Sequence, residues 1–495
     1  MHSPLNRALD KWRGSPLARA TLTSWLASAS IIVLGVVRTK VSAVTLGSTG
    51  VGIIGQGNYL STFIGGIAAV GLSTACISAI AAARARGDES ELKAAAHLAA
   101  LLPLALGLLL SAVVIAFSPQ VARSMMADSM LWWIVVLAAL STPLNLVVGA
   151  VSIVLQGKEE ITRSAKASVI AALINTAVVV SLVLALRLQG AAIAILLTSL
   201  VSVGVSIVVA PRAFVEAFGR PIRFPRRAIL ATMVKLSLAS LVLGAAGSTA
   251  DLLIRTRVVG LFGVDSLGKY QPVFAISNQY LVVFISAIGV YMFPTLTRLL
   301  KSGDRVNALK ELDAGLRLML FVFTPLIILL MLAAPVVVRA LYSNQFIEAV
   351  PVLRLQLIGD ILKVCAYSIG AALLPLGLTR WWVGIGLGTV LAYLGVALIL
   401  LPVMHLPALA LAYVISWVLN LGVTLIVILR ENGSWLSARN ALLGSAAILS
   451  VIGMAALAAF IPGVTSIIIG IAAVAAWAWR ALRAISSWLK AGREA

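Results

Sequence analysis

The chain has 495 residues, of which 61% are hydrophobic and 11% charged, with a mean hydropathy of +1.07. Soluble globular domains carry about 25% charged residues, so this composition excludes one and indicates an all-α polytopic membrane protein. The net charge of +21 raises nucleic acid as a partner. However, the cations lie in short loops between apolar runs, where the positive-inside rule accounts for them and no nucleic acid is implied.

Residues 1–20 form a polar, basic segment with Arg7, Lys11, Arg13 and Arg19, unlike a cleavable signal peptide. Apolar runs of about 20 residues or more cross a hydrocarbon core of about 30 Å. They are drawn at 21–46, 55–83, 93–117, 129–156, 164–187 and 190–211, a first six-helix bundle spanning 21–211. A basic linker at 212–228 carries Arg212, Arg220, Arg223, Arg226 and Arg227 with Pro221 and Pro225. It suits a cytoplasmic linker between two rigid bundles lying on an anionic leaflet. The second bundle, 229–430, has runs at 229–262, 267–298, 312–341, 348–378, 381–402 and 406–430. An extra helix pair fills 431–487, at 438–461 and 464–487, before a tail at 488–495. That gives fourteen predicted spans.

Loop charge orients them. Alternate loops hold Arg84, Arg86 and Lys93; Lys158, Arg163 and Lys166; and Arg298, Lys301, Arg305, Lys310 and Arg317. On the other side only Arg123, Arg187, Lys269 and Arg339 appear, so both termini are predicted to be cytoplasmic. An even number of spans per half makes the repeat parallel, with a pseudo-two-fold axis along the membrane normal.

The repeat is visible in the residues. Val37-Arg38-Thr39-Lys40-Val41 and Ile254-Arg255-Thr256-Arg257-Val258 match at an offset of 217 positions, and the similarity runs on through Leu46-Gly47 and Phe262-Gly263. An Arg or Lys at a span centre costs about 2.5–3.5 kcal/mol on insertion scales, so intramembrane cations are expected to face an interior or a wet cavity. Six are assigned to a cationic binding cavity: Arg38, Lys40, Arg255, Arg257, Arg354 and Lys363. Lys235 is near enough to the cytoplasmic end to snorkel. Residues at i and i+2 point about 200° apart, so one cation of each pair is expected to line the cavity.

The cations outnumber the intramembrane acids, Asp251 and Asp360, and an electropositive cavity suits an anion such as phosphate or diphosphate. Both acids are candidates for ion coupling, or for local pairing with Arg255 and Lys363. Gln56, Asn58, Asn278 and Gln279 are candidate supporting polar groups, with interhelical hydrogen bonding as their structural alternative. The glycines from Gly47 to Gly57 mark the turn between the first two spans. Pro272, Pro294, Pro325, Pro335, Pro351 and Pro375 are hinge or kink positions in the second half.

Cys76 and Cys365 lie in apolar segments and suggest no disulfide framework. His2, His97 and His405 are scattered without metal-ligand spacing, so no metal is expected. No Walker or dinucleotide motif occurs, so neither ATP nor another cofactor is implied.

The first hairpin, from Lys40 through Gly47 and Gly50 to Gly52, resembles that of polysaccharide-unit flippases of the O-antigen and enterobacterial-common-antigen type. These belong to the multidrug/oligosaccharidyl-lipid/polysaccharide exporter superfamily. The resemblance covers the first twelve spans in architecture and the first hairpin with its repeat in sequence. It implies a transporter, not an enzyme, in the bacterial cytoplasmic membrane. The cargo would be an undecaprenyl-diphosphate-linked oligosaccharide moved between leaflets by alternating access.

Carried over, the cavity role falls to Lys40 with Arg38 beside it, and to Arg255 and Arg257 by repeat. Partners would be the lipid-linked glycan, membrane lipids, and the polymerase and chain-length regulator of the same pathway. The extra helix pair departs from twelve-span members and matches lipid II flippases, which makes lipid II the alternative cargo. A multidrug antiporter is the second alternative, disfavoured by cations where cationic drugs would favour acids. A membrane glycan polymerase or ligase would need large polar outer loops, which this chain lacks.

Overall fold

The computed structural model describes residues 16–69, 71–222, 227–432, 437–461 and 463–494. Side chains are described at all of these except 16–27, 29, 227–236, 239, 278–291, 293–294, 431–432 and 484–494. Among the described residues all regular structure is helical, as a chain with no water to satisfy its backbone requires. In chain order the helices are α1 (Pro16–Ala68), α2 (Leu72–Arg86), α3 (Glu89–Ala116), α4 (Ser118–Met126), α5 (Trp132–Gly157), α6 (Ile161–Val209) and α7 (Pro211–Phe218). They continue as α8 (Arg227–Lys301), α9 (Arg305–Leu341), α10 (Ala349–Gly370), α11 (Thr379–Met404), α12 (Pro407–Asn432), α13 (Ala438–Phe460) and α14 (Val464–Glu494). Nine helices among the described residues are long and apolar enough to cross a membrane.

Three helices are too long for one crossing, since a helix rises about 1.5 Å per residue. Each is broken at a single residue: α1 at Gly47, α6 at Arg187 and α8 at Gly263. These breaks carry the internal repeat into the backbone. Gly47 (φ 66°, ψ −173°) and Gly263 (φ 78°, ψ 169°) adopt one conformation, and Arg187 (φ 49°, ψ −124°) and His405 (φ 56°, ψ −143°) share another. The expected glycine-rich turn is therefore a single residue. Gly50, Gly52, Gly55 and Gly57 continue the helix after it.

The chain divides into two units, Met1–Leu252 with Gly263–Asp265, and Leu253–Phe262 with Ser266–Ala495. The boundary lies later than the basic segment at 212–228, because the first part of α8 packs into the first unit. Gly71 marks one such contact. At φ +64° it lies so close to α8 that a Cβ would stand 2.7 Å from the Ser237 carbonyl oxygen. Tyr59 donates to the Ser248 carbonyl at 2.5 Å. At the tip of the hairpin, Ser48 and Thr49 both donate to Asp265, Thr49 at 3.1 Å.

The expected linker also begins as structure. Helix α7 packs Ala213 and Ala217 into a core with Ile80, Ala95, Ala96 and Val154, and Phe214 and Phe218 lie against it. Lys158 fastens α7 through Glu216 at 2.8 Å, and His97 shares a hydrogen bond with the Gly219 carbonyl at 2.9 Å.

In the second unit α9 buries Leu312, Leu316, Leu320, Phe323, Ile327, Met331, Ala334 and Val338, the three-to-four spacing of one helix face. Helix α10 is buried on nearly every side. On α11, Leu391, Ile399 and Val403 point outward, as lipid-facing side chains do.

Candidate functional site

The first unit contains a polar cavity of about 200 Å³ built by α1, α5 and α6. Arg38, Asn58, Ser61 and Thr62 come from α1, Ser141 and Asn145 from α5, and Asn175, Thr198, Ser199 and Ser202 from α6. Spacings of three or four residues (Asn58/Ser61, Ser141/Asn145, Thr198/Ser202) put each pair on one helix face, which turns polar residues inward from apolar helices. Ser61 is the hub: Ser141 Oγ lies 3.0 Å from its hydroxyl, Thr142 Oγ1 3.2 Å and Asn145 Nδ2 3.4 Å. Across the cavity Asn175 donates to Ser202 at 3.0 Å, leaving its buried Oδ1 without a hydrogen-bond partner among the described residues.

Arg38 is the one charged residue in this lining, and it is exposed. A cavity rich in amides and hydroxyls with a single guanidinium offers many neutral donors and acceptors and one anion-binding fork. Lys40 is half-buried and outside the lining, as two residues on a helix require. Gln56 is also elsewhere. It is fully buried and donates to the Met125 carbonyl at 2.8 Å, a link between α1 and α4.

The repeat cations of the second unit also separate, with the burial reversed. Arg255 is 5% exposed with its guanidinium 5.1 Å from the centre of the Phe274 ring, while Arg257 is exposed. Asp251 is half-buried one turn earlier on α8.

On α10, Asp360 is fully buried and accepts hydrogen bonds from Ser277 at 2.8 Å and Tyr413 at 3.0 Å. One turn on, the Lys363 ammonium lies over the rings of Trp417 and Tyr413, 5.4 and 5.9 Å from their centres.

Arg354 is engaged by backbone. Its guanidinium donates to the Met331 carbonyl at 3.2 Å and the Ala458 carbonyl at 3.1 Å. The Met331 carbonyl lies four residues before Pro335, and Ala458 lies in the last turn of α13. Proline has no N–H, and the last carbonyls of a helix have no following turn to bond, so each lacks its ordinary helical donor. Arg354 supplies both, tying α10 to α9 and α13.

The structure thus brings Arg38 and Asn58 together, whereas Gln56, Arg354 and Lys363 have partners elsewhere. The side chains of Asn278 and Gln279 lie outside the described residues. Sequence reasoning missed Ser61, Ser141, Asn145, Asn175, Thr198, Ser199 and Ser202. The available signal was intramembrane Asn and hydroxyl residues repeating at helical spacing on several spans.

A family model described as polysaccharide biosynthesis protein matches residues 51–351. The chain belongs to the polysaccharide biosynthesis protein family. Among curated relatives it is 23% identical over 376 residues to lipid III flippases of Escherichia coli (strain K12) and Shigella flexneri, covering 74% of this chain and 87% of each relative. Among solved structures, the lipid II flippase MurJ in an inward closed conformation superposes with a TM-score of 0.68 at 13% identity, covering 94% of this chain and 99% of that one. An inward-facing multidrug resistance MATE transporter of the MOP superfamily gives the same TM-score at 18% identity, over 85% of this chain and 95% of that one. This family member therefore has the MATE- and MurJ-like fold, and it is a multi-pass protein of the bacterial inner membrane.

Proposed function

We propose that this protein is a flippase for a lipid-linked glycan. Its cargo would be an undecaprenyl-diphosphate-linked oligosaccharide of the O-antigen or exopolysaccharide type, moved from the inner to the outer leaflet of the cytoplasmic membrane. The observation that carries this reading is the cavity around Arg38. Sugar hydroxyls need paired donors and acceptors, which Asn58, Ser61, Asn145, Asn175 and Ser202 offer, and a diphosphate needs a cation, which Arg38 offers. Family membership and the lipid III flippase relatives support the same class of cargo.

In this proposal the head group enters from the cytoplasmic side, its diphosphate meets Arg38 and its sugars occupy the polar walls, while the prenyl chain stays in lipid. Rocking of the repeats against each other then exposes the head group outside, where polymerase and chain-length regulator take it up. Arg255 and Arg257 are the corresponding cations of the second repeat, with Lys40 and Lys363 as further positive charge. Asp360, held by two hydroxyls, is the leading candidate for ion coupling, with Asp251 second.

Lipid II is the second reading. It is favoured by the helix pair α13–α14 and by the alignment of 94% of the chain with the lipid II flippase structure. Export of cationic drugs is disfavoured by a cavity whose charge is an arginine.

The test is single replacement of Arg38, Lys40, Arg255 and Arg257 by Ala, scoring surface glycan against membrane level of the protein. Loss of glycan with normal protein level in Arg38→Ala supports the proposal. Full export by all four variants defeats it.

A further inference from the structure

The second unit holds a cavity of about 350 Å³ whose lining includes none of Arg255, Arg257, Arg354 and Lys363. It lies at one end of the helices, among Phe262 and Ser266 of α8, the start of α10 after the short 3-10 turn Asn344–Phe346, and the α11–α12 turn at His405. By loop charge this is the extracytoplasmic end. Its volume falls in the range of small-ligand sites, about 300–1,000 Å³.

Its walls are fixed and partly aromatic. Tyr270 is 6% exposed, and its hydroxyl donates to Gln356 at 3.2 Å, which holds the ring in place. The positive φ at His405 turns the chain so that its imidazole packs on Phe262, ring centres 4.7 Å apart. Ser266 adds a hydroxyl. At the mouth, Lys269 and Glu348 form an ion pair at 2.9 Å, with their side chains 28% and 74% exposed.

The geometry points to a binding site for a neutral pyranose unit, a release-side subsite for the glycan, and this inference rests on the flippase reading above. The C–H face of a sugar ring is slightly positive and packs on the negative face of an aromatic ring. The Lys269–Glu348 pair presents donors and a carboxylate acceptor side by side, which is what a vicinal diol bonds. A free phosphate or lipid phosphate is the poorer fit, because the Lys269 charge is already matched by Glu348. A glycan gripped at this end of the second unit would be held on the release side, so the subsite would give the cycle a direction.

The test uses the purified full-length protein in nanodiscs and saturation-transfer NMR. Methyl glycosides of glucose, galactose and N-acetylglucosamine serve as probes, with inorganic phosphate as competitor. At least one glycoside is expected to receive saturation, with a loss of fivefold or more in both Glu348→Gln and Lys269→Gln, and phosphate is expected not to compete. Glu348 is largely exposed, so its replacement should leave the thermal midpoint unchanged.

A second measurement avoids those variants: Ser266→Cys should react with maleimide and be protected by the same glycoside. No saturation of any glycoside, equal saturation in wild type and both variants, displacement by phosphate, or an unprotected cysteine would each overturn the subsite. Failure of the wild type to export glycan would overturn the flippase reading instead. Glycan export that persists without any sugar binding here would sink only the subsite.

Discussion

Replacing Arg354 with Met removes the donors to two carbonyls while keeping a side-chain stem of similar length. Hydrogen bonds to charged groups contribute about 1.5–3 kcal/mol in soluble proteins. Interhelical hydrogen bonds within membranes average about 0.6 and reach about 1.7 kcal/mol. Arg354 is only partly buried, so its two bonds should together be worth about 2–3 kcal/mol, near the upper membrane values.

The proline origin of the vacancy gives a sharper test. Pro335→Ala restores an N–H within reach of the Met331 carbonyl, so in that background the Arg354→Met loss should shrink by about 1 kcal/mol. Unfolding measured in bicelles for the two single variants and the double variant closes this cycle. Additivity within about 0.3 kcal/mol would refute the proline-capping role. Native stability of Arg354→Met together with lost glycan export would show instead that Arg354 is a cargo cation.

Gly71→Ala should destabilise by about 1–3 kcal/mol through its positive φ and the nearby Ser237 carbonyl. Gly87→Ala has a similar φ of +70° but open space around it, so it should cost only about 1 kcal/mol, and melting of both variants gives the comparison. Asn145→Leu should reach the membrane at wild-type level and lose glycan export, because it removes an amide from the Ser61 hub; undiminished export would contradict the polar-cavity role. Asp304 caps α9, and hydrogen bonds from the side chain and backbone of Asn307 hold its carboxyl below the usual 3.8. A lowered folded-state value gives stabilisation that is present above the unfolded pKa and lost as pH falls through the folded one. Protection factors in the first turn of α9, taken against the intrinsic exchange rate at each pH, should therefore fall as pH drops below about 4, and Asp304→Asn should abolish that fall.

The repeat was legible because charge in a membrane is costly enough to stand out, so Arg38 and Arg255 announced themselves against apolar neighbours. Its backbone counterpart was half hidden. Gly47 and Gly263 could be read, but nothing in Arg187 or His405 signals a positive φ, since tertiary packing rather than residue type imposes it. The role of Arg354 needed geometry, because its two acceptors come from different helices, and Pro335, which frees one of them, reads only as a kink. The polar cavity was missed for a different reason. A lone Ser or Thr in a span ordinarily bonds its own helix, as Ser202 does to the Thr198 carbonyl at 2.7 Å, and only the assembled helices show these groups facing one another. The helical start of the basic linker was obscured by its arginines, although Phe214 and Phe218 at i and i+4 mark its buried face.

The central claim is that the glycan head group occupies the Arg38 cavity. Cys76 and Cys365 are buried free thiols, so replacing both leaves a background for a reporter cysteine at Ser202. Maleimide labelling of Ser202→Cys in proteoliposomes, with and without an undecaprenyl-diphosphate oligosaccharide, is the direct measurement. The account predicts that the glycolipid protects the thiol and that Arg38→Gln weakens protection at least tenfold in glycolipid concentration. Labelling that ignores the glycolipid, or protection unchanged in Arg38→Gln, would contradict it.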